Sequence, residues 1–140
     1  MNPKKTFIDA GVLIAAARGR NEVAVQAMKI LDDPDREFVA SQFLKLEVLP
    51  KAVYEKRKDE VNFYEAFFDT ITYWANSEDI ARGAYSEACK FGLSAMDALH
   101  VAAAKAAGAE DLVTTEKPEK PICRIDSINV ISIRPIKNSK

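Results

Sequence analysis

The chain has 140 residues, 48% hydrophobic and 29% charged, with 20 basic and 21 acidic side chains and a formal net charge of −1. That length suits one domain over residues 1–140, with a core large enough to fold without a disulfide or a structural metal. The near-neutral balance argues against a broad surface that binds nucleic acid by phosphate neutralisation alone.

No apolar run approaches the ~20 residues of a membrane helix. The run after Lys4-Lys5 stops at Asp9, too early for a signal-peptide core. A cytoplasmic location, with no membrane partner, is expected. In chain order, Thr6-Phe7-Ile8 is a short buried strand closed by Asp9. Val12 to Ala17 suggests a helix, and Glu22 to Leu31 a second, before a turn at Asp32-Asp33-Pro34-Asp35. Glu37 to Ala40 reads as the next strand. Ser41 is the N-cap of a helix that reaches Pro50 and continues through Tyr54. Asp59 to Thr70 repeats aromatics at helical spacing (Phe63, Tyr64, Phe67, Phe68), a pattern that together with Trp74 points to core. Ile71 to Ala75 reads as a third strand. Asn76 or Ser77 caps a helix running to about Lys90 and ended by Gly92. Ser94 opens an alanine-rich helix ended by Gly108. A fourth strand covers Asp111 to Thr115, a loop holds Pro118 and Pro121, and a last strand covers Ile128 to Ile133, closed by Pro135. Lys137 to Lys140 reads as a frayed tail. Alternating strands and helices imply a three-layer α/β/α fold around a mostly parallel sheet of four or five strands.

Four acids stand out because they lie in or beside apolar segments: Asp9 after the first strand, Glu47 in the helix after the second, Asp97 in the first turn of the alanine-rich helix, and Glu116 after the fourth strand. In open α/β sheets ligands sit beyond the carboxyl ends of the strands, where Asp9 and Glu116 are expected. Singly, each has a plain role. Asp9 can cap a helix, Ser94-Ala95-Met96-Asp97 has the spacing of a capping box, and Glu47 and Glu116 suit solvated surface. Jointly, carboxylates gathered at one sheet edge repel one another and call for a compensating cation. Hard cations such as Mg²⁺ or Mn²⁺ take carboxylate oxygen and water, and such a site suits phosphodiester cleavage. Cys89 and Cys123 have neither CxxC spacing nor clustered histidine, so they read as reduced structural thiols rather than zinc ligands.

The segments Phe7 to Ile14, Ser41 to Leu49, Leu93 to Ala104 and Leu112 to Glu116 resemble, in order and over nearly the whole chain, a PIN domain of the toxin type (VapC-like), the Asp97-Ala98 helix being the most specific piece. The resemblance implies a metal-dependent, single-strand-selective ribonuclease with Asp9, Glu47 and Asp97 as metal-site carboxylates, and with Glu116 where the family often has Asp. It further implies the toxin of a toxin–antitoxin pair, a cognate antitoxin and helix-mediated pairing into a homodimer. The chain departs from the family after the first Asp: Ala10 and Gly11 stand where Thr or Ser, then often Asn or Ser, are usual. Thr114 and Thr115 are candidates for a polar group near the phosphate, and Thr115 stands closest to the family's usual position.

The expected activity is therefore a Mg²⁺- or Mn²⁺-dependent endoribonuclease. A catalytically silent PIN-like binding module is the alternative, motivated by Ala10, Gly11 and Glu116. A phosphatase-like hydrolase with Asp9 as nucleophile lacks its usual second Asp, since position 11 is Gly. His100, one turn after Asp97, reads as a packing or hydrogen-bonded residue. Arg18, Arg20, Lys45 and Lys51 are candidate phosphate contacts. Lys117 and Lys120, flanking Glu116, are better placed by position, and Lys56-Arg57-Lys58 reads as a solvated face.

Overall fold

The computed structural model describes residues 2–134, so the readings placed on Pro135 and on the tail at 137–140 lie outside it. The elements run β1 (Lys4–Ile8), α1 (Ala10–Arg18), α2 (Glu22–Leu31), β2 (Arg36–Ala40), α3 (Gln42–Tyr54), α4 (Lys58–Asp69), β3 (Tyr73–Trp74), α5 (Ser77–Phe91), α6 (Ala95–Ala106), β4 (Asp111–Thr114) and β5 (Asn129–Ser132). The five strands form one all-parallel sheet in the order β3-β2-β1-β4-β5, and the helices complete a three-layer α/β/α arrangement. Parallel neighbours need helical crossovers, which cover the sheet and bury its central strands. Accordingly Phe7, Ile8, Val39, Leu112 and Val113 are fully buried.

Helix ends follow local chemistry. Asp9, Asn21, Ser41, Asn76 and Ser94 each accept a backbone N–H from the first turn of the helix they precede. Gly19 and Gly92 end α1 and α5 in the left-handed conformation. Helix α3 runs through Pro50 without a break. Helices α1, α3 and α4 pack on one another, α2 lies against α1, and α5 runs along α6. The small side chains of α6 (Ala98, Ala102, Ala103, Ala104) are buried, as expected for a helix pressed between neighbours. The aromatic repeat is core: Tyr64, Phe67 and Phe68 are buried, and Phe67 and Phe68 stack edge to face at 5.4 Å between ring centroids.

Two segments differ from the sequence reading. The third strand is shorter because the end of α4 keeps winding: Thr70 and Ile71 donate back to Phe67 and Phe68, so pairing with β2 begins only at Thr72. The loop holding Pro118 and Pro121 contains a 3-10 turn at Pro121–Arg124 that buries Ile122 completely, with proline's fixed φ at its first position. Among the described residues no helix is long and apolar enough to cross a membrane.

Candidate metal centre

The strand order reverses between β1 and β4: successive strands run outward on one side of β1, and β4 begins the other. Such a reversal opens a crevice at the carboxyl ends of the two strands. Asp9 stands there, following Ile8, with Thr114, Thr115 and Glu116 beside it at the end of β4.

Asp9 is only 7% exposed. Its Oδ1 accepts the Val12 N–H at 3.2 Å, so the expected capping role is real. Its Oδ2 accepts the Thr114 hydroxyl at 2.5 Å, and Thr114 in turn accepts the Glu116 N–H at 3.0 Å. One threonine thus ties the Asp9 carboxylate to the backbone that carries Glu116. Burial pushes the Asp9 carboxyl up from 3.8 to about 6, against the lowering effect of the Thr114 and Val12 hydrogen bonds, with the Asp97 charge adding to the rise.

Asp97 enters from the first turn of α6. Its N–H is capped by Ser94 Oγ at 3.3 Å, so it too has the plain role read from the sequence. Its carboxyl is also raised, first by burial and then by the negative charge of Glu116, with Glu47 contributing. Asp9, Asp97, Glu116 and Glu47 therefore share one electrostatic neighbourhood.

Glu47 is the most open of the four, its side chain 36% exposed, and its Oε1 lies 2.7 Å from His100 Nε2. His100 is buried and packs against Phe7 at 5.6 Å between rings, as its plain reading required, but it also holds a candidate site carboxylate. The pairing spans 53 residues and had no signal in the sequence. No lysine or arginine forms an ion pair with Asp9, Asp97 or Glu116 among the described residues, and no three of the acids converge as a ready-made metal cage. The donors are all oxygen, which fits a hard cation that keeps several of its own waters rather than one enclosed by protein.

Three further features escaped the sequence reading. The loop after β4 is pinned from the next strand: Ser132 Oγ donates to the Glu116 carbonyl at 2.6 Å, and Arg134 Nε to the Thr115 carbonyl at 2.8 Å. The Cys123 thiol lies against the same loop, 3.8 Å from the Glu116 carbonyl, and is raised by burial and by the charges of Glu116, Asp9 and Asp97. Finally, a Cβ on Gly11 would stand 2.1 Å from Thr115 Oγ1 and 3.5 Å from Asp9 Oδ1. The space that a side chain at position 11 would fill is taken by the Thr115 hydroxyl, supplied from a different strand end.

Among the basic side chains, Arg57 and Arg18 are engaged by acids. Arg57 bridges Glu55 and Glu60, consistent with a solvated face for Lys56-Arg57-Lys58. Arg18 faces Glu60 across an exposed pair of 3.4 Å. Both cysteines are free thiols, Cys89 exposed and Cys123 half-buried.

A family model described as the PIN domain matches residues 6–118, which contain all four acids. Comparison with curated protein sequences gives no match. Among solved structures, a toxin–antitoxin complex from Klebsiella pneumoniae superposes with a TM-score of 0.70 at 23% identity, covering 94% of this chain and 99% of that one. VapBC2 from Rickettsia felis, bound to a DNA fragment from its promoter, gives 0.68 at 15% identity, covering 91% and 98%. VapBC-1 from nontypeable Haemophilus influenzae gives 0.65 at 16% identity, covering 92% and 98%. At these identities the likeness is one of fold, and it agrees with the family match over most of the chain: the protein belongs to the PIN domain family.

Proposed function

We propose that this chain is a Mg²⁺- or Mn²⁺-dependent endoribonuclease that cuts single-stranded RNA, acting as the toxin of a type II toxin–antitoxin pair. The observation that carries the reading is the set of carboxylates at the β1/β4 crevice, where Asp9 and Asp97 are raised by burial and by neighbouring negative charge, with no lysine or arginine paired to either among the described residues and with His100 as the charge that lowers them. A fold holds such a cluster at a cost in stability unless something positive is to be bound there.

Asp9, Glu47 and Asp97 would hold the ion, with Glu116 at the rim to support the site or keep a water. Such an ion, when bound, lowers the pKa of water and offsets charge on the phosphate and the leaving oxygen. The protein's own part is orientation. Thr114 and the Val12 N–H fix the two oxygens of Asp9. His100 holds Oε1 of Glu47, which restrains the carboxylate while its other oxygen makes no hydrogen bond among the described residues. Partners that restrain a ligand in this way typically contribute 10–100-fold in affinity or activity. The Thr115 hydroxyl in the place of a side chain at position 11 offsets the departure at Gly11, which favours an active site over a degenerate one.

The partner reading draws on two supports. Of the solved structures similar in fold, one is described as a toxin–antitoxin complex and two as VapBC assemblies. Large apolar side chains stand exposed on α3, with Leu46 68%, Val53 56% and Tyr54 86% accessible, and Leu46 and Val53 share a face at helical spacing. Such a face suits an antitoxin segment or a second copy of the chain.

The test is cleavage of a mixed-sequence single-stranded RNA with Mg²⁺ or Mn²⁺ by wild type and Asp97→Asn. The substitution keeps the shape and the Ser94 cap while removing the charge. Metal-dependent cleavage that falls at least about a hundred-fold in the variant is expected. If both proteins are folded and equally inert, the nuclease reading fails and a silent PIN-like binding module replaces it.

A further inference from the structure

A cleft of ≈ 300 Å³ opens beside the acids, with Gly11 and Thr115 in its lining and Arg18, Arg20 and Arg134 around it; no Asp or Glu lines it among the described residues. In a chain of net charge −1, three arginines around one cleft are a local concentration of positive charge. Its border with the acidic site is thin. The position a Gly11 Cβ would occupy lies between Thr115 Oγ1, 2.1 Å away, and Asp9 Oδ1, 3.5 Å away. Any side chain at position 11 would therefore displace the Thr115 hydroxyl from the boundary. Arg134 is oriented by donating Nε to the Thr115 carbonyl at 2.8 Å, and its remaining guanidinium nitrogens are given no protein partner among the described residues. Arg18 is shared with Glu60 through an exposed contact.

We propose that this cleft is a phosphate subsite for single-stranded RNA, in which Arg134 and Arg20, helped by Arg18 and the Thr115 hydroxyl, hold a backbone phosphate adjacent to the one presented to the acids. The proposal rests on the nuclease reading for its substrate class. A guanidinium offers a planar fork of donors that matches phosphate geometry. A nucleic-acid strand carries phosphates at regular steps, so a strand with one phosphate at Asp9 necessarily brings another close by. An acidic peptide has no such reason to lie across both places. The subsite also accounts for how a protein without a basic excess keeps an anionic substrate beside a carboxylate cluster: attraction is local rather than spread over the surface.

The experiment measures binding of a fluorescein-labelled single-stranded oligouridylate by anisotropy at several salt concentrations, with EDTA present so that cleavage plays no part. Arg134→Gln and Arg20→Gln are each expected to weaken binding about three- to tenfold and to lower the salt slope by about 0.7 per lost phosphate contact. Arg82→Gln on α5, whose guanidinium pairs with Asp79 away from the cleft, is expected to leave both unchanged. Equal affinity and slope in wild type and both cleft variants, with the folds intact by thermal melting, overturns the subsite. So does an oligoglutamate peptide that binds in an Arg134-dependent way while the RNA does not, since the cleft is then a protein site. The two readings fail separately. RNA cleavage without an Arg134-dependent slope sinks only the subsite, whereas an Arg134-dependent slope in a protein that never cuts RNA sinks only the nuclease.

Discussion

Asp9 and Asp111 sit at opposite ends of adjacent parallel strands, Asp9 beyond the carboxyl end of β1 and Asp111 at the amino end of β4. Both are buried, yet the chain treats them in opposite ways. Asp111 is surrounded by donors from three other elements: Arg36 Nη1 at 2.9 Å, Asn129 Nδ2 at 2.7 Å and Lys4 Nζ at 3.7 Å. Those partners outweigh burial and hold its carboxyl below the usual 3.8. Asp9 has a hydroxyl and one N–H, with His100 acting to lower its carboxyl and Asp97 to raise it, and burial takes it to about 6. The protein pairs Asp111 with arginine and lysine and gives Asp9 neither. Glu87 repeats the structural pattern, buried with Lys105 at 2.7 Å and Ser127 at 2.9 Å.

The largest effect that sharpens this contrast is on stability. Asp111→Ala takes from the Arg36 guanidinium its most buried acidic partner, leaving it Asp33 and Thr6, and is expected to cost about 1.5–3 kcal/mol, read as a lowered midpoint in urea. Asp9→Asn, measured in the same way without divalent cations, is expected to cost far less or to stabilise, because it removes a charge that burial and Asp97 disfavour. Equal losses at the two positions would erase the distinction.

A second consequence concerns pH. The Asp111 carboxyl is lowered in the folded state, so its contribution is fully present above the unfolded value of 3.8 and is lost as pH falls through the lower folded one. Wild type should therefore lose stability steeply in that acid window, and Asp111→Asn should show a flatter acid limb in the same urea titrations. An unchanged slope would mean that Lys4, Arg36 and Asn129 do not neutralise it.

The contrast was only partly legible in the sequence. Asp9, Asp97 and Glu116 announce themselves because a carboxylate that closes or interrupts an apolar run is conspicuous, and the strand–helix alternation says at which end of the sheet they gather. Asp111 also borders an apolar run, and nothing local distinguishes it from Glu116. What separates them is Arg36 and Lys4, brought in by parallel pairing across 75 residues and more. The third strand was overextended for a similar reason: Ile71 is as β-prone as Tyr73, and only the winding end of α4 decides between them. The departure read at Gly11 considered position 11 alone, and nothing in the sequence signals that the Thr115 hydroxyl, from the end of β4, occupies the space a side chain there would fill.

The smallest effect tests that last point. Alanine in place of an early helical glycine ordinarily stabilises by up to about 1 kcal/mol. At position 11 the new Cβ meets Thr115 Oγ1, so Gly11→Ala should lose that gain or reverse it. In a Thr115→Ala background the penalty should shrink, giving a coupling of about 0.5–3 kcal/mol in a double-mutant cycle of urea midpoints. Additive effects would show that the two positions do not compete for one space.

The most direct measurement of the central claim is a Mn²⁺ titration followed by thermal melting, on wild type and Asp9→Asn side by side. A cation that binds only the folded state stabilises it by RT ln(1 + [L]/Kd), about 2.7 kcal/mol at a hundred times Kd. The account predicts a melting temperature that climbs with Mn²⁺ in wild type and stays flat in the variant. No rise in wild type, or the same rise in both, would contradict a cation site built on Asp9.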